Sequence, residues 1–408
     1  MIWGQLDSGL RYAVKQAGCS VSWCSLSIKA GSRYEGEHHS GIAHFTEHCL
    51  FKGTIFKSAK QINSCLDVLG GELNAFTTKE EIVLHATVLK DDLQKAAGLL
   101  LELATCATFP QKEIETEKGV VIDEINSYKD SPADEIYDRG EEMFFAGHPL
   151  GNSILGKASS VKKISSEELS SYFEERFTAG NMALSIVSPE PEVEIEKLVK
   201  KLCGKYQLAS GGQRTEDRLS PPDFNLFEKV SDKRNHEANA MIACQAPSLF
   251  GGKDRFTAIL LSNILGGPAS NSILNSILRE KNGWVYGIEC SYTQYQDGGI
   301  MAITLGCERE NLDKCLKEVN KAISKFQTGN LSDRRLKAAK RQLLGQLAIS
   351  SENGETQCLS MGKSMLAFGR IAPDTENKAH IEEITSEDIR QMALRVFAPD
   401  RISRLIYL

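Results

Sequence analysis

Two stretches of the chain repeat one pattern, and this repeat narrows the possible folds more than any other feature. HATVLKDDLQKAAGLLLEL starts at His85, and the charged run KEIETEKGVVIDEINSY follows it. MAITLGCERENLDKCLKEVNKAI starts at Met301, and DRRLKAAKRQLLGQL follows that. Each reads as an apolar strand, a polar turn, an amphipathic helix and a second, charged helix. The copies lie about 220 residues apart, a domain-scale offset. Between them LASGGQRTEDRLSPPDFN, from Leu208 to Asn225, mixes Gly, Ser, Pro and charge without apolar periodicity and reads as a linker. The 408 residues are therefore expected to form two homologous domains, 1–207 and 226–408, joined by 208–225. Each is expected to be α+β, a mostly antiparallel sheet packed with segregated helices.

Composition sets limits on partners. With 41% hydrophobic and 25% charged residues the chain is an ordinary globular one. No run approaches 18 apolar residues, so no membrane span is expected. The net charge of −6, with no basic block, gives no reason to expect nucleic acid or a membrane surface as partner. The 11 cysteines are odd in number and scattered, with no C-x-x-C pair, which fits reduced thiols better than a disulfide framework or a cysteine-ligated metal. The opening MIWGQLDSGLRYAV lacks the plan of a secretory signal, and a cytoplasmic location is expected.

The chemistry is concentrated in GIAHFTEHCLF, where His44, Glu47 and His48 form H-x-x-E-H. On a helix, positions i, i+3 and i+4 share one face. Two imidazoles and a carboxylate on the buried face of an otherwise apolar helix cost free energy unless they are paired or bind metal. Two histidines one turn apart can both reach a tetrahedral zinc ion, and the glutamate between them can serve as general base for a water made acidic there. The order is the reverse of H-E-x-x-H, as in the inverzincins. With 8 histidines a chance match is expected on the order of 0.01 times. An offset of about 220 residues carries these positions to 263–268 and the region of Gln346, where no such cluster stands.

A catalytic zinc needs a third protein ligand. Glu117 and Glu124 lie seven residues apart in KEIETEKGVVIDEINSYKD, two turns along one helical face, with Val120 and Val121 as apolar packing between them. Glu113, Glu115 and Asp123 read as the solvated face. Spacing does not choose between Glu117 and Glu124: either could bind metal while the other supports it.

AGSRYEGEHHSGIAHFTEHCLFKGT resembles the active-site segment of the pitrilysin-like, insulin-degrading-enzyme-like zinc metallopeptidases, a family related to the mitochondrial processing peptidases. The resemblance continues through GGELNAFTTKEE, EKGVVIDEI, HPLGNSILG and, in the second half, ILGGPASNSILNSILREKNGWVYGI. It implies that the metal ligand is the glutamate 76 residues after the last motif histidine, Glu124, with Glu117 as the supporting carboxylate. It implies that Asn74 binds substrate backbone, with Ala75 and Phe76 on the edge strand that takes an extended peptide. It further implies that Arg279 and Tyr286 act at the substrate carbonyl, where their donors suit a developing oxyanion. Two departures stand out: Asn271-Ser272 where the family usually has a serine–arginine pair, and Cys49 where it often has methionine.

The implied function is a Zn2+-dependent endopeptidase that hydrolyses peptides or unfolded segments in a closed chamber. Larger family members hold four such domains, so a two-domain chain implies a clamshell dimer. A homodimer, with Arg279 and Tyr286 completing the partner's site, suffices; a heterodimer with a related subunit is the other family arrangement. The alternative function is a structural or chaperone-like subunit that has lost catalysis, against which stands the presence of His44, Glu47, His48, Glu117, Glu124, Arg279 and Tyr286 together.

Overall fold

The computed structural model describes residues 1–206, 208–209, 221–234, 236–329 and 331–408. Most of the stretch read as a linker lies outside the described residues. The chain forms two compact units.

The first unit is built on a six-stranded sheet of β1 (Ile2–Gln5), β2 (Arg11–Gln16), β3 (Val21–Ile28), β4 (Glu72–Thr77), β5 (Ile82–Leu89) and β6 (Met182–Ser188), in the order β1-β2-β6-β3-β5-β4. Every neighbouring pair is antiparallel except β2 and β6. Strand β3 shows why both faces are covered. Its Cys24, Leu26 and Ile28 enter the main core beside the Leu93–Cys106 helix, whose residues Leu93, Ala96, Ala97, Leu100, Leu101 and Ala104 are buried. Its alternate residues Ser25 and Ser27 face the Gly354–Phe368 helix, which lies on β2, β3 and β6. That helix comes close only because it is notched. A Cβ on Gly362 would stand 2.7 Å from the Ser27 hydroxyl, and one on Gly354 would overlap the Trp23 ring.

The second unit holds β7 (Glu228–Ser231), β8 (Glu237–Ala246), β9 (Val285–Gln294), β10 (Gly299–Glu308) and β11 (Ile402–Tyr407), in the order β7-β11-β8-β10-β9. Only β7 and β11 run parallel. This is the order of β2-β6-β3-β5-β4, strand for strand, so the internal repeat is a repeat of topology. The Leu312–Thr328 helix buries Leu312, Cys315, Val319, Ala322, Ile323 and Phe326, the i, i+3, i+4 stripe of a helix laid on a sheet.

The units differ from a simple cut into 1–207 and 226–408. Ile349–Ile371 packs into the first unit, and Ser127–Gly151 into the second, where the Pro132–Phe144 helix lies on β8 and β11. Each unit thus covers part of its sheet with a helix drawn from the other half of the chain. Among the described residues no helix is long and apolar enough to cross a membrane.

Candidate metal centre

The Ile42–Leu50 helix divides its residues between core and site. Ile42, Phe45, Cys49 and Leu50 are fully buried, with Ile42, Phe45 and Leu50 each worth about 1.5–3 kcal/mol of transfer. His44, Glu47 and His48 line the other side. The helix starts at Gly41, whose φ of 91° is left-handed and whose missing Cβ would stand 2.8 Å from the Leu155 carbonyl. Gly41 has no side chain to cap the helix, and the Glu35 carboxylate takes that place: its Oε1 accepts from Gly41 N at 3.0 Å and Ala43 N at 3.3 Å. Burial pushes the Glu35 pKa up to about 8, although these two N–H groups and Lys79 oppose it.

The third partner comes from the Gln111–Lys129 helix, anchored by Ile114, Val121 and Ile125. Val121 packs as expected, but Val120 does not: it is 50% exposed, because the buried stripe runs through 114, 117, 121 and 125. Glu115 and Asp123 are exposed, and Glu113 is half-buried. Glu124 Oε2 lies 3.7 Å from His44 Nε2 and 3.5 Å from His48 Nε2. Ligand atoms around a tetrahedral zinc stand about 3.3 Å apart, close to both of these separations, and all three ligand atoms lie within 4.8 Å of one another. Among the described residues His44, His48 and Glu124 form the one such cluster of metal-binding side chains.

Glu117 faces the other edge of His48. His48 Nδ1 donates to Glu117 Oε1 at 2.8 Å, and Lys52 Nζ holds Glu117 Oε2 at 2.6 Å. Burial opposes ionisation of Glu117, but these bonds outweigh it and hold its pKa below the usual carboxylate range. Burial alone would lower the His48 pKa; the bond to Glu117 and the charges of Glu47, Glu117 and Glu124 raise it instead. His44 is the reverse case. Burial, then the neighbouring His48, pushes its pKa down to about 3, so it is a neutral, ligand-competent imidazole across the physiological range. Among the described residues its Nδ1 is buried without a hydrogen-bond partner, so no described polar group fixes its ring as Glu117 fixes that of His48. The two rings meet edge to face, centroids 4.6 Å apart.

Glu47 is buried beside this cluster, which raises its pKa, against a bond from Thr77 Oγ1 to its Oε2 at 2.6 Å. Thr77 ends β4, the edge strand of the sheet, on which Asn74 and Phe76 are exposed and Ala75 is half-buried. The Ile42–Leu50 helix packs against that strand. Cys49 is buried, and burial followed by the Glu117 charge raises its thiol pKa far above the ordinary value, so it behaves as a small core residue.

Arg279 and Tyr286 belong to the second unit. Arg279 is exposed on the π-helix Asn275–Lys281, and Tyr286, 57% exposed, lies in the edge strand β9. The register of β9 and β10 passes from Gly306↔Gly287 to Cys307↔Val285, which makes Tyr286 the extra residue of a β-bulge. Bulges of this kind re-aim a side chain away from the ladder. Of the departures, Asn271 exchanges hydrogen bonds with Gln342, and Ser272 Oγ accepts from Asn275.

Three contacts escaped the sequence reading: Thr77 on Glu47, Lys52 on Glu117, and Glu35 on the helix start. Lys52 had a signal, since it continues the i, i+4 row of His44 and His48. Thr77 and Glu35 had none, because their partners are set by strand and loop placement.

The profile of the insulinase family, peptidase family M16, matches residues 12–158, and that of the M16 peptidase inactive domain matches 163–343. The chain is 29% identical over 380 residues to an uncharacterized zinc protease of Bacillus subtilis, covering 93% of this chain and 91% of that one. It is 26% identical over 398 residues to the human mitochondrial-processing peptidase subunit beta, covering 96% and 81%. Among solved structures, a Pseudomonas fluorescens M16 inactive-domain protein superposes with a TM-score of 0.91 at 20% identity, covering 100% of this chain and 97% of its own. A Helicobacter pylori protease superposes equally well, with a TM-score of 0.91 at 18% identity, covering 100% and 99%. At these identities the structural matches speak for the fold alone.

Proposed function

We propose that this chain, which belongs to the M16 (insulinase) family of peptidases, is a zinc-dependent endopeptidase with Glu47 as its general base. The observation that carries this reading is the convergence of His44 Nε2, His48 Nε2 and Glu124 Oε2 beside a buried glutamate on the same helix face. Zinc bound there supplies Lewis acidity, polarising the scissile carbonyl and making water a nucleophile near neutral pH. His44, His48 and Glu124 would hold the ion, and Glu117 orients His48. Glu47 takes the proton from the attacking water and passes it to the leaving amine; its burial and raised pKa suit both steps. The open edge of β4 at Asn74, Ala75 and Phe76 suits an extended peptide added as a further strand. Arg279 and Tyr286 supply donors for the oxyanion, brought to the site by a partner subunit in a clamshell homodimer.

The decisive comparison is wild type against Glu47→Gln, for zinc content and for cleavage of a quenched-fluorescence peptide library. The reading requires about one zinc per chain in both proteins and cleavage by wild type alone. A wild type that binds zinc without cleaving would favour the non-catalytic alternative, which the inactive-domain match of the second half keeps in view. A wild type that binds no zinc after reconstitution removes the metal-site reading altogether.

A further inference from the structure

Thr77 belongs to two structures at once. Its backbone ends the edge strand β4, opposite Ile82 of β5, and its hydroxyl donates to Glu47 Oε2 at 2.6 Å. Neither end has room to drift. The next residue closes the β4–β5 hairpin: Thr78 N donates to Glu81 O at 2.7 Å, and Thr78 Oγ1 accepts from Glu81 N at 2.9 Å. The hairpin tip is held from outside, since the backbone of Gly31 lies so close to that of Lys79 and Glu80 that a Cβ on Gly31 would overlap both. On the other side, Glu47 rides on a helix pinned into the core by Phe45 and Leu50.

The Glu47 carboxylate itself sits at the end of a flexible side chain. Ordering such a chain costs about 1.5–2 kcal/mol of rotamer entropy, so an unanchored base would sample several positions. Threonine is a suitable anchor, because its branched Cβ leaves χ1 stiff and ties the hydroxyl to the strand backbone. The strand is the surface on which a peptide would be laid, and the carboxylate is the group that must meet the water attacking that peptide.

We propose that Thr77 is a positioning residue that locks the Glu47 carboxylate in register with edge strand β4, so that a peptide added to the strand presents its scissile carbonyl at a fixed place relative to the base. This rests on Glu47 being the general base. A bond to Oε2 leaves Oε1 to face the water. Misplacing a catalytic group by about 1 Å can cost on the order of 100-fold in rate.

The test uses zinc-loaded full-length protein as wild type, Thr77→Val, Thr77→Ser and Glu47→Gln. Valine keeps the shape of threonine and removes the donor; serine keeps the donor and loosens it. Three quantities are read: kcat and KM on a quenched-fluorescence peptide, zinc affinity by chelator competition, and the affinity of a non-cleavable reduced-amide peptide. Thr77→Val should lower kcat about 10- to 100-fold. Its KM, zinc affinity and peptide affinity should stay within about twofold of wild type, and Thr77→Ser should keep kcat within about fivefold. If Thr77→Val retains wild-type kcat while Glu47→Gln is inactive, the positioning role is wrong and the base assignment stands. If Thr77→Val loses zinc or peptide affinity in step with kcat, or serine does no better than valine, the residue is structural and the proposal fails. If Glu47→Gln cleaves normally, the base assignment itself falls.

Discussion

In the proposed metal centre His48 is already oriented. Lys52 holds one oxygen of Glu117, the other accepts from His48 Nδ1, and His48 Nε2 is left facing Glu124. An exposed ion pair would contribute little, but Glu117 is only 6% exposed, and removing one partner of a buried charged network is costly. Glu117→Ala should therefore weaken zinc binding about 10- to 100-fold, as read by chelator competition, while His44 and Glu124 still provide ligands. Unchanged zinc affinity in that variant would mean that the Lys52–Glu117–His48 chain does not orient the ligand. His44 reaches the same readiness by another route, since burial keeps it neutral although no described residue pairs with its Nδ1.

The Ile42–Leu50 helix has nine residues, too few to hold together alone in water. Its core face supplies most of the stability, and Glu35 supplies the cap that Gly41 lacks. This arrangement has a pH signature. The folded Glu35 pKa, about 8, lies above its ordinary value of 4.5, so the folded state keeps the proton that the unfolded chain releases. The contribution of this group is full below about pH 4.5 and is lost as pH rises through about 8. Glu35→Gln keeps an oxygen acceptor for the two N–H groups and removes the titration. It should match wild type near pH 5 and exceed it near pH 9, by on the order of a few kcal/mol. Melting temperatures of both proteins across that range check this, and parallel curves would rule it out.

At the scale of the whole molecule, one strand order is used twice, but among the described residues the side-chain cluster that could hold a metal stands in the first unit. The second unit holds Arg279 and a bulge that carries Tyr286. If a homodimer shares its sites, as we propose, two inactive variants should rescue each other. Mixing Glu47→Gln with Tyr286→Phe after subunit exchange should restore about a quarter of wild-type activity, because half the dimers are mixed and each holds one intact site. No recovery on mixing would place both halves of the site within one chain or with a different partner.

The sequence by itself determined what depends on neighbours along the chain. One helical turn places His44, Glu47 and His48 on a single face whatever else the molecule does, and the copied strand–turn–helix pattern marks two like units. Glu117 and Glu124 mark the limit of that logic. They share a face at a spacing of seven, and periodicity treats them alike. Only the tertiary structure sets Glu124 against the Nε2 atoms of both histidines and Glu117 against Nδ1 of one, because the crossing of two helices decides which turn meets which ring. The same holds for Val120, half of whose surface lies open, for Thr77, which reaches Glu47 across 30 residues of chain, and for the helical segments that the two halves exchange. Each of these is fixed by long-range packing, where many amphipathic segments are interchangeable by pattern and only shape and burial choose among them.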